Sequence, residues 1–332
     1  MKTPAWWQGL SPDEVLDSLR QRTAEIASYQ NGGYRVIMFE DGTKVRIQTS
    51  QEPPLQPEQI DLKITDRCGA ACPFCYEGST PQGELADMGF VMRLLSPLKR
   101  GTEIAIGGGD VFSHPQLPAL LQFAKERGIL CNLTLNEAQW FSNRSRIENL
   151  SSFIYGVGYT PVSRAPGHAH NLVIHFIVGI HPPEKAIEIC QEALRSNVYR
   201  ALLLGYKIAG RGDAYYRRHW REIRENVRRW REMWFRLVEM GFVVAMDERA
   251  YWLLGERWKG PEVHDGEFNM YIDAVRKRYA PISGLSRMFP IGQLTVNEMF
   301  AHSRSLVISP LWRIKRVADA IYTRRCLLGS VV

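Results

Sequence analysis

The chain has 332 residues, 45% of them hydrophobic and 23% charged, with a formal net charge of +7. This length supports a large buried core in one α/β domain or two smaller ones, and the charged fraction is typical of a soluble globular protein. No apolar run reaches the ~18 residues of a transmembrane helix and no secretory signal is recognisable, so we expect a cytoplasmic protein that does not bind a membrane.

The first 57 residues are predicted to form a small helix and β-hairpin element. Ser11 and Pro12 are typical of a helix start, and the helix is predicted over residues 11–27. Asp41-Gly42 lies between two β-rich runs, which indicates a hairpin. The proline-rich stretch that follows is typical of a linker, so we separate residues 1–57 from the main domain.

Residues 58–245 alternate short strands with helices. Repeated β-α units predict a parallel sheet with right-handed crossovers, and six units are too few for a closed eight-fold barrel. The sequence therefore predicts an α/β fold with a partial parallel (β/α)6 barrel, and a flat doubly wound sheet is the alternative. The predicted strands cover residues 61–65, 103–106, 129–135, 153–158, 172–179 and 200–206, and helices fit near 84–99, 116–127 and 183–195.

A long helix is predicted over residues 214–240. It has two stripes of residues with spacings of three and four, one apolar and one basic. The basic stripe is either a solvated flank of the helix or a surface that binds a phosphate or a nucleic acid. The apolar stripe contains Trp220, Ile223, Val227, Trp230, Trp234 and Leu237, and the basic stripe contains Arg217, Arg221, Arg224, Arg228 and Arg231.

Residues 246–332 are predicted to form a C-terminal α+β cap. A second hairpin is predicted over residues 268–282 and a short helix over residues 295–303. Thr295 and Glu298 have the spacing of a capping box at the start of this helix.

The cysteines indicate a metal or cluster site and not a disulfide framework. Cys68, Cys72 and Cys75 lie within eight residues, whereas the other three cysteines are scattered. The group follows the first predicted core strand, at the end where α/β sheets bind ligands. Three thiolates suit three corners of a cuboidal cluster and leave the fourth iron open. The alternatives are a zinc site, which wants four ligands, and three unconnected cysteines.

The segment from Thr65 to Tyr76 resembles the signature of the radical S-adenosylmethionine (SAM) superfamily. It contains Cys-x3-Cys-x2-Cys with the aromatic Phe74 directly before the last cysteine. Further along, Gly107-Gly-Gly-Asp110 resembles the glycine motif of the family's second strand, and residues 129–136 and 175–179 resemble later strands. The resemblance covers most of residues 60–206.

This resemblance implies one [4Fe-4S] cluster on Cys68, Cys72 and Cys75, with SAM bound at its open iron. An electron from a reductant such as flavodoxin or ferredoxin cleaves SAM into methionine and a 5′-deoxyadenosyl radical, which takes a hydrogen atom from the substrate. The cofactor supplies this chemistry, and the protein supplies orientation and shielding.

The resemblance also implies a set of SAM-binding residues. The aromatic residues beside the cysteines are candidates to contact adenine or to pack the loop. The glycines bring the backbone close to the SAM amino group or form a tight turn. Asp110 stands where the family often has the longer Glu. The candidates are Phe74, Tyr76, Gly107, Gly108, Gly109, Asp110 and Asn136.

Several residues near strand ends are candidates to line the cavity. His168 and His170 are interpreted as ordinary loop residues, and the segment Gly210 to Asp213 as a simple turn. The candidates at or after strand ends are Tyr159, Thr160, Glu184, Tyr206 and Lys207.

The sequence of the C-terminal region gives an indication of the substrate class. Residues 264–303 resemble the frame of the SPASM-type extension of peptide-modifying members, but they contain no cysteine, so no second cluster is expected. A peptide is therefore the first candidate substrate, and a nucleic acid or nucleotide is the second because the chain is basic. The alternative from another class is a non-catalytic iron–sulfur or zinc-binding protein, including a module that binds DNA or RNA.

Overall fold

A computed structural model describes residues 11–254, 266–285 and 287–308 of the chain. The first helix, α1 (Pro12–Arg20), begins with a capping box in which the Ser11 and Glu14 side chains each accept a hydrogen bond from the other residue's backbone N–H. It ends at Arg20, so the predicted range 11–27 is too long. The residues after it form a strand instead, because tertiary pairing outweighs local helix propensity.

The N-terminal element is completed by a three-stranded antiparallel sheet in the order β1-β2-β3. The predicted hairpin at Asp41-Gly42 is present and joins its second and third strands. The first strand pairs with the second and buries Ala27, so residues 25–27 of the predicted helix lie in a strand. The strands are β1 (Glu25–Asn31), β2 (Tyr34–Phe39) and β3 (Lys44–Gln48).

Within the described residues, one ten-stranded sheet forms the centre of the fold, and eight neighbouring strands in it are parallel. All six predicted core strands are present, and two further parallel strands flank them. In order across the sheet, the strands are β10 (Val243–Met246), β9 (Arg200–Gly205), β8 (Leu172–Val178), β7 (Gly156–Thr160), β6 (Leu130–Asn136), β5 (Glu103–Gly108), β4 (Gln59–Thr65), β11 (Asn269–Asp273), β12 (Arg278–Ala280) and β13 (Phe289–Pro290).

Helices cover one face of this sheet. The alternation along β4 is typical: Ile60, Leu62 and Ile64 are buried in the core with the helices, so Asp61 and Lys63 face the other side. No described helix is both long and apolar enough to cross a membrane. The helices are α2 (Met88–Leu95), α3 (Leu117–Glu126), α4 (Glu137–Ser142), α5 (Arg144–Asn149), α6 (Pro183–Leu194), α7 (Arg211–Met233), α8 (Phe235–Glu239), α9 (Glu248–Leu254) and α10 (Val296–Ile308).

The sheet curls into a partial barrel and is not flat. Lys207 follows β9, yet its Nζ lies 2.7 Å from Ser283 Oγ and 4.2 Å from the centre of the Tyr76 ring, which follows β4. Five strand spacings separate β9 from β4, which amounts to about 24 Å in a flat sheet. The contact therefore requires strong curvature, which gives the sheet an interior face.

The N-terminal sheet lies against the amino ends of the barrel strands. Lys44 pairs with Glu103 at 2.5 Å and Arg46 with Glu58 at 2.6 Å, next to the starts of β5 and β4. The Tyr155 hydroxyl donates to the Phe39 carbonyl at 2.6 Å just before β7. These contacts occupy the amino end and leave the carboxyl end of the barrel for the site.

The long helix confirms most of the predicted apolar stripe. The five stripe residues from Ile223 to Leu237 are buried, but Trp220 is 38% exposed. His219 has non-helical dihedral angles (φ −119°, ψ 17°), so a kink changes the phase of the helix just before Trp220. The Trp220 ring instead lies beside the guanidinium groups of Arg221 and Arg224.

The C-terminal residues extend the main sheet. The predicted hairpin is formed by β11 and β12, and β11 also pairs in parallel with β4. The predicted capping box is present, since the Thr295 N–H donates to Glu298 Oε2 at 2.8 Å and the Glu298 N–H to Thr295 Oγ1 at 3.3 Å. The helix it starts, α10, runs further than the predicted range.

Glu137, the first residue of α4, binds the loop after β7. Its carboxylate accepts hydrogen bonds from the backbone N–H groups of Val162, Ser163 and Arg164 at 2.7–2.9 Å. Arg164 Nε adds a charged contact at 3.1 Å. Although burial opposes it, this donor set lowers the pKa of Glu137 to about 2.

We expect the Glu137→Gln variant to lose about 2–3 kcal/mol of unfolding free energy at pH 7, since the lowered pKa makes the carboxylate form stabilising. That stability is present above the ordinary pKa near 4.5 and is lost as the pH falls through about 2. Urea unfolding of both proteins should therefore show a difference at pH 6 that shrinks toward pH 2. A difference that stays constant with pH would contradict the assignment.

Candidate functional site

The cysteine loop connects β4 to α2 at the carboxyl end of the barrel. Cys68 is buried and Cys72 and Cys75 are half-buried, and all three are free thiols. Burial raises the pKa of the Cys72 thiol, and the neighbouring Cys75 and Cys68 thiols raise it further. The three thiols therefore lie within electrostatic range of one another on this loop.

Two polar side chains at the end of β6 reach these sulfur atoms. Gln139 Nε2 lies 3.7 Å from Cys68 Sγ and 3.3 Å from the Gly109 carbonyl oxygen. Asn136 Nδ2 lies 3.9 Å from Cys72 Sγ, while its Oδ1 accepts the Gln139 backbone N–H and caps α4. The predicted site residue Asn136 is thus placed beside the cysteines, and Gln139 is a neighbour that the sequence analysis missed.

Arg211 holds the loop from the opposite side. Its Nε donates to the Cys72 carbonyl oxygen at 3.0 Å and its Nη1 to the Ser79 carbonyl oxygen at 2.6 Å. Its backbone N–H donates to the Cys75 carbonyl oxygen at 3.0 Å. The segment from Gly210, predicted as a simple turn, is therefore the contact between α7 and the cysteine loop. The Gly-Arg-Gly sequence directly after a strand end is the feature that could have indicated this contact from the sequence.

The glycine motif packs directly on the base of the cysteine loop. The Gly109 N–H donates to the Thr65 carbonyl oxygen and the Asp110 N–H to the Arg67 carbonyl oxygen, both at 2.7 Å. A Cβ on Gly108, whose φ is +107°, would lie 2.5 Å from the Thr65 oxygen, and one on Gly109 would overlap the Arg67 carbonyl.

The remaining members of the motif are less constrained. A Cβ on Gly107 would make an ordinary contact of 3.6 Å with Thr134. Asp110 Oδ1 accepts the Phe112 N–H at 3.1 Å, so its carboxylate caps a short turn, and burial raises its pKa. The predicted contact of Asp110 with the SAM amino group stays a prediction.

The two aromatic candidates have different surroundings. The Phe74 ring lies 6.0 Å from the Tyr215 ring and packs against the core, which is the loop-packing alternative. The Tyr76 ring lies beneath the Lys207 ammonium, and burial raises its pKa well above the ordinary value. Tyr76 therefore contacts the barrel interior and Phe74 the outside of the loop.

Some of the other candidates lie away from the interior. Tyr159 is buried in the outer core and donates to the Arg164 carbonyl oxygen, because its place in β7 points it toward the helices. Glu184 lies on α6 and pairs with Arg229 at 2.9 Å. Both predictions of a cavity-lining role are wrong, whereas Lys207 does reach the interior.

The histidine loop lies at the amino end of the barrel. His168 and His170 border a cavity of about 300 Å³ together with Asp41 and Arg200. The His170 ring shares a 3.1 Å contact with Asn171 Nδ2. This end is opposite to the cysteine loop, so the two histidines are not part of the site.

The arginine stripe of α7 is partly neutralised. Arg217 pairs with Asp213 at 2.8 Å, and Arg228 pairs with Glu225 at 2.7 Å and with Glu232 at 3.0 Å. Arg231 Nε donates to the Leu253 carbonyl oxygen. These contacts favour the interpretation of the stripe as a flank of the helix.

A buried lysine connects the cysteine loop to the C-terminal strand. Lys63 Nζ lies 2.5 Å from Asp66, 2.7 Å from Glu77 and 3.2 Å from Asp273. Burial opposes its charge, but the three carboxylates together raise the pKa of Lys63. Arg276 pairs with two of the same carboxylates, at 2.8 Å and 3.1 Å.

The donor set fits a cuboidal cluster better than a single ion. Within residues 11–254, 266–285 and 287–308, no three His, Cys, Asp or Glu side chains converge on one ion position. Thiolates on a cubane each bind a different iron, so their sulfur atoms surround a cluster and lie further apart than the ligands of one ion. Amide N–H groups near the sulfur atoms, as Gln139 and Asn136 supply, are contacts that tune such clusters.

The other described cysteines are core residues. Cys131 and Cys190 are buried, and burial raises the pKa of each thiol to about 12. Cys326 lies outside the described residues.

The fold of this chain is similar to the folds of several solved structures. Streptococcus suis SuiB bound to S-adenosylmethionine aligns with 79% of this chain and 72% of its own at a TM-score of 0.51 and 12% identity. This chain shares the fold of SuiB. A second SuiB structure aligns with 80% of this chain and 69% of its own, also at 0.51 and with 13% identity. SuiB bound to its precursor peptide SuiA aligns at 0.49. No protein-family model and no curated protein matches the sequence.

We expect Lys63→Met to destabilise the protein by about 3–5 kcal/mol, because it removes the ammonium that pairs with Glu77 and leaves Asp66 and Asp273 with the half-exposed Arg276 alone. The measurement is urea unfolding at pH 7. Lys185→Met is the matched control, since Lys185 pairs with Glu188 on the exposed face of α6 and its loss should cost about 0–1 kcal/mol. Equal losses in the two variants would show that the buried network contributes nothing specific.

Proposed function

We propose that the protein is a radical SAM enzyme with one [4Fe-4S] cluster bound by Cys68, Cys72 and Cys75. The observation that carries the proposal is that the loop with the three free thiols, two amide donors near its sulfur atoms and the glycine motif lie together at one end of the barrel. The fold shared with SuiB, a radical SAM enzyme crystallised with S-adenosylmethionine, supports it. When bound and reduced, the cluster and SAM supply a 5′-deoxyadenosyl radical.

The chain's own residues would hold, orient and shield these groups. Arg211 fixes the loop backbone, so the three thiols are presented in a constant arrangement. Gln139 and Asn136 direct amide hydrogens toward two sulfur atoms. The glycine motif keeps the end of β5 flat against the loop, where the predicted SAM amino-group contact would form.

The substrate is proposed to be a peptide. The support is the sequence resemblance of residues 264–303 to the frame of a SPASM-type extension, and β11, β12 and α10 lie within or extend from this region. The basic charge that favoured a nucleic acid is in part paired on α7. Flavodoxin or ferredoxin is the proposed electron donor, and the cytoplasm is the proposed location.

Cluster binding is tested by the metal content of anaerobically purified protein. We expect about four irons per chain, and loss of the iron and of the brown colour in Cys68→Ala, Cys72→Ala or Cys75→Ala. Cys131→Ala and Cys190→Ala are the controls and should keep the iron, because both thiols lie in the core. Zinc in place of iron, or equal loss from Cys131→Ala, would overturn the ligand assignment.

Enzymatic activity is tested by SAM cleavage. The reduced, cluster-loaded protein should release 5′-deoxyadenosine and methionine, slowly even without substrate, as measured by chromatography. Protein without reductant and the Cys68→Ala variant should release neither. A fully loaded protein that never yields 5′-deoxyadenosine would instead be a non-catalytic iron–sulfur protein.

A further inference from the structure

Asp61 is a carboxylate in the barrel interior without a counterion. It lies on the interior face of β4, between the buried core residues Ile60 and Leu62. It accepts one hydrogen bond, from Gln59 Nε2 at 3.2 Å, and makes no ion pair with any residue of the described chain. Asp61 is half-buried and keeps part of its surface accessible, so its carboxylate is available to a ligand in the interior.

The charged groups that face Asp61 are already occupied. They are Lys207, Asp247 and Glu77. The Lys207 ammonium donates to Ser283 and lies over the Tyr76 ring. Asp247 Oδ1 accepts two backbone N–H groups at the start of α9, and Glu77 binds Lys63. Two cations, Lys207 and Lys63, therefore stand against three carboxylates, Asp61, Asp247 and Glu77, and the remaining negative charge favours a cationic ligand.

The strands beside Asp61 leave room for a ligand. Four residues lie at the same level on the neighbouring strands β4, β5, β6 and β7. In that order they are Asp61, Ala105, Asn132 and Gly156. Asp61, Ala105 and Asn132 each keep partial solvent exposure on this face, so the interior is accessible at this level.

We propose that Asp61 binds a cationic side chain of the substrate, an ammonium or a guanidinium, inside the barrel. This rests on the proposed function, since it assigns the interior to the substrate, and it narrows the substrate to a peptide with a lysine or an arginine. The carboxylate gains a charge-assisted hydrogen bond that the protein itself does not supply. Burial also raises the pKa of Asp61, so binding should weaken as the pH falls through that raised value.

The test uses small probes and needs no SAM turnover. N-acetyl-lysine methylamide and its uncharged isostere N-acetyl-norleucine methylamide are titrated into the full-length cluster-loaded protein and followed by NMR line broadening of the probe. The lysine probe should bind about tenfold to a hundredfold more tightly. An arginine probe determines whether an ammonium or a guanidinium is preferred.

The variants separate a specific contact from general charge attraction. Asp61→Asn should bind both probes equally, while Asp213→Asn, which removes an exposed carboxylate on α7, should keep the preference for lysine. Asp61→Asn should fold at pH 7 at least as well as the natural protein, because the raised pKa makes the ionised carboxylate unfavourable.

Two results would overturn the proposal. One is equal or absent binding of the lysine and norleucine probes by the natural protein, and the other is a lysine preference that survives Asp61→Asn. Either result leaves SAM cleavage untouched, so failure here is distinguishable from failure of the radical SAM assignment.

Discussion

One buried ammonium group determines how the cysteine loop is held. Lys63 contacts Asp66 before the first cysteine, Glu77 after the last, and Asp273 on the C-terminal strand β11. Removing four charges from water is favourable only while their geometry is kept, since desolvation of each ion is expensive. Both ends of the loop and the neighbouring strand are therefore fixed relative to β4.

This network gives the cysteine-free C-terminal region a structural role. Asp273 contributes a carboxylate, Tyr271 donates its hydroxyl to Glu77 at 2.9 Å, and Arg276 bridges two of the acids. The strand β11 also extends the parallel sheet beyond β4. A region whose sequence resembles a cluster-carrying extension thus supports the loop by ion pairs and backbone pairing.

Because the sheet is curved, residues that follow β9, at the far side of the sheet from β4, also hold the cysteine loop. Arg211 and Lys207 follow β9, and they contact the loop backbone and the Tyr76 ring. The same curvature creates the interior, where acidic residues outnumber engaged cations around Asp61. The +7 charge of the chain favours an anionic partner, whereas the acidic interior favours a cationic one. The interior is the more relevant of the two, because it lies beside the proposed radical chemistry.

Features encoded in one short segment could be predicted from the sequence. The cysteine group after a strand, the alternation of strands and helices, the helix start at Ser11 and the capping box at Thr295 depend on spacing within about ten residues, and the structure has them. The exceptions, such as β1 and the kink at His219, arose where pairing or packing with distant segments outweighed local preference.

Only the tertiary structure decided which residues surround the cysteines. The partners of Lys63 are separated by up to 210 positions in the chain (63 to 273), and Arg211 reaches a carbonyl group 139 positions away. Such contacts depend on strand register and on the curvature that closes about 24 Å of sheet width. No periodicity within a segment contains that information, so Arg211, Gln139 and the isolation of Asp61 became visible only in the folded chain.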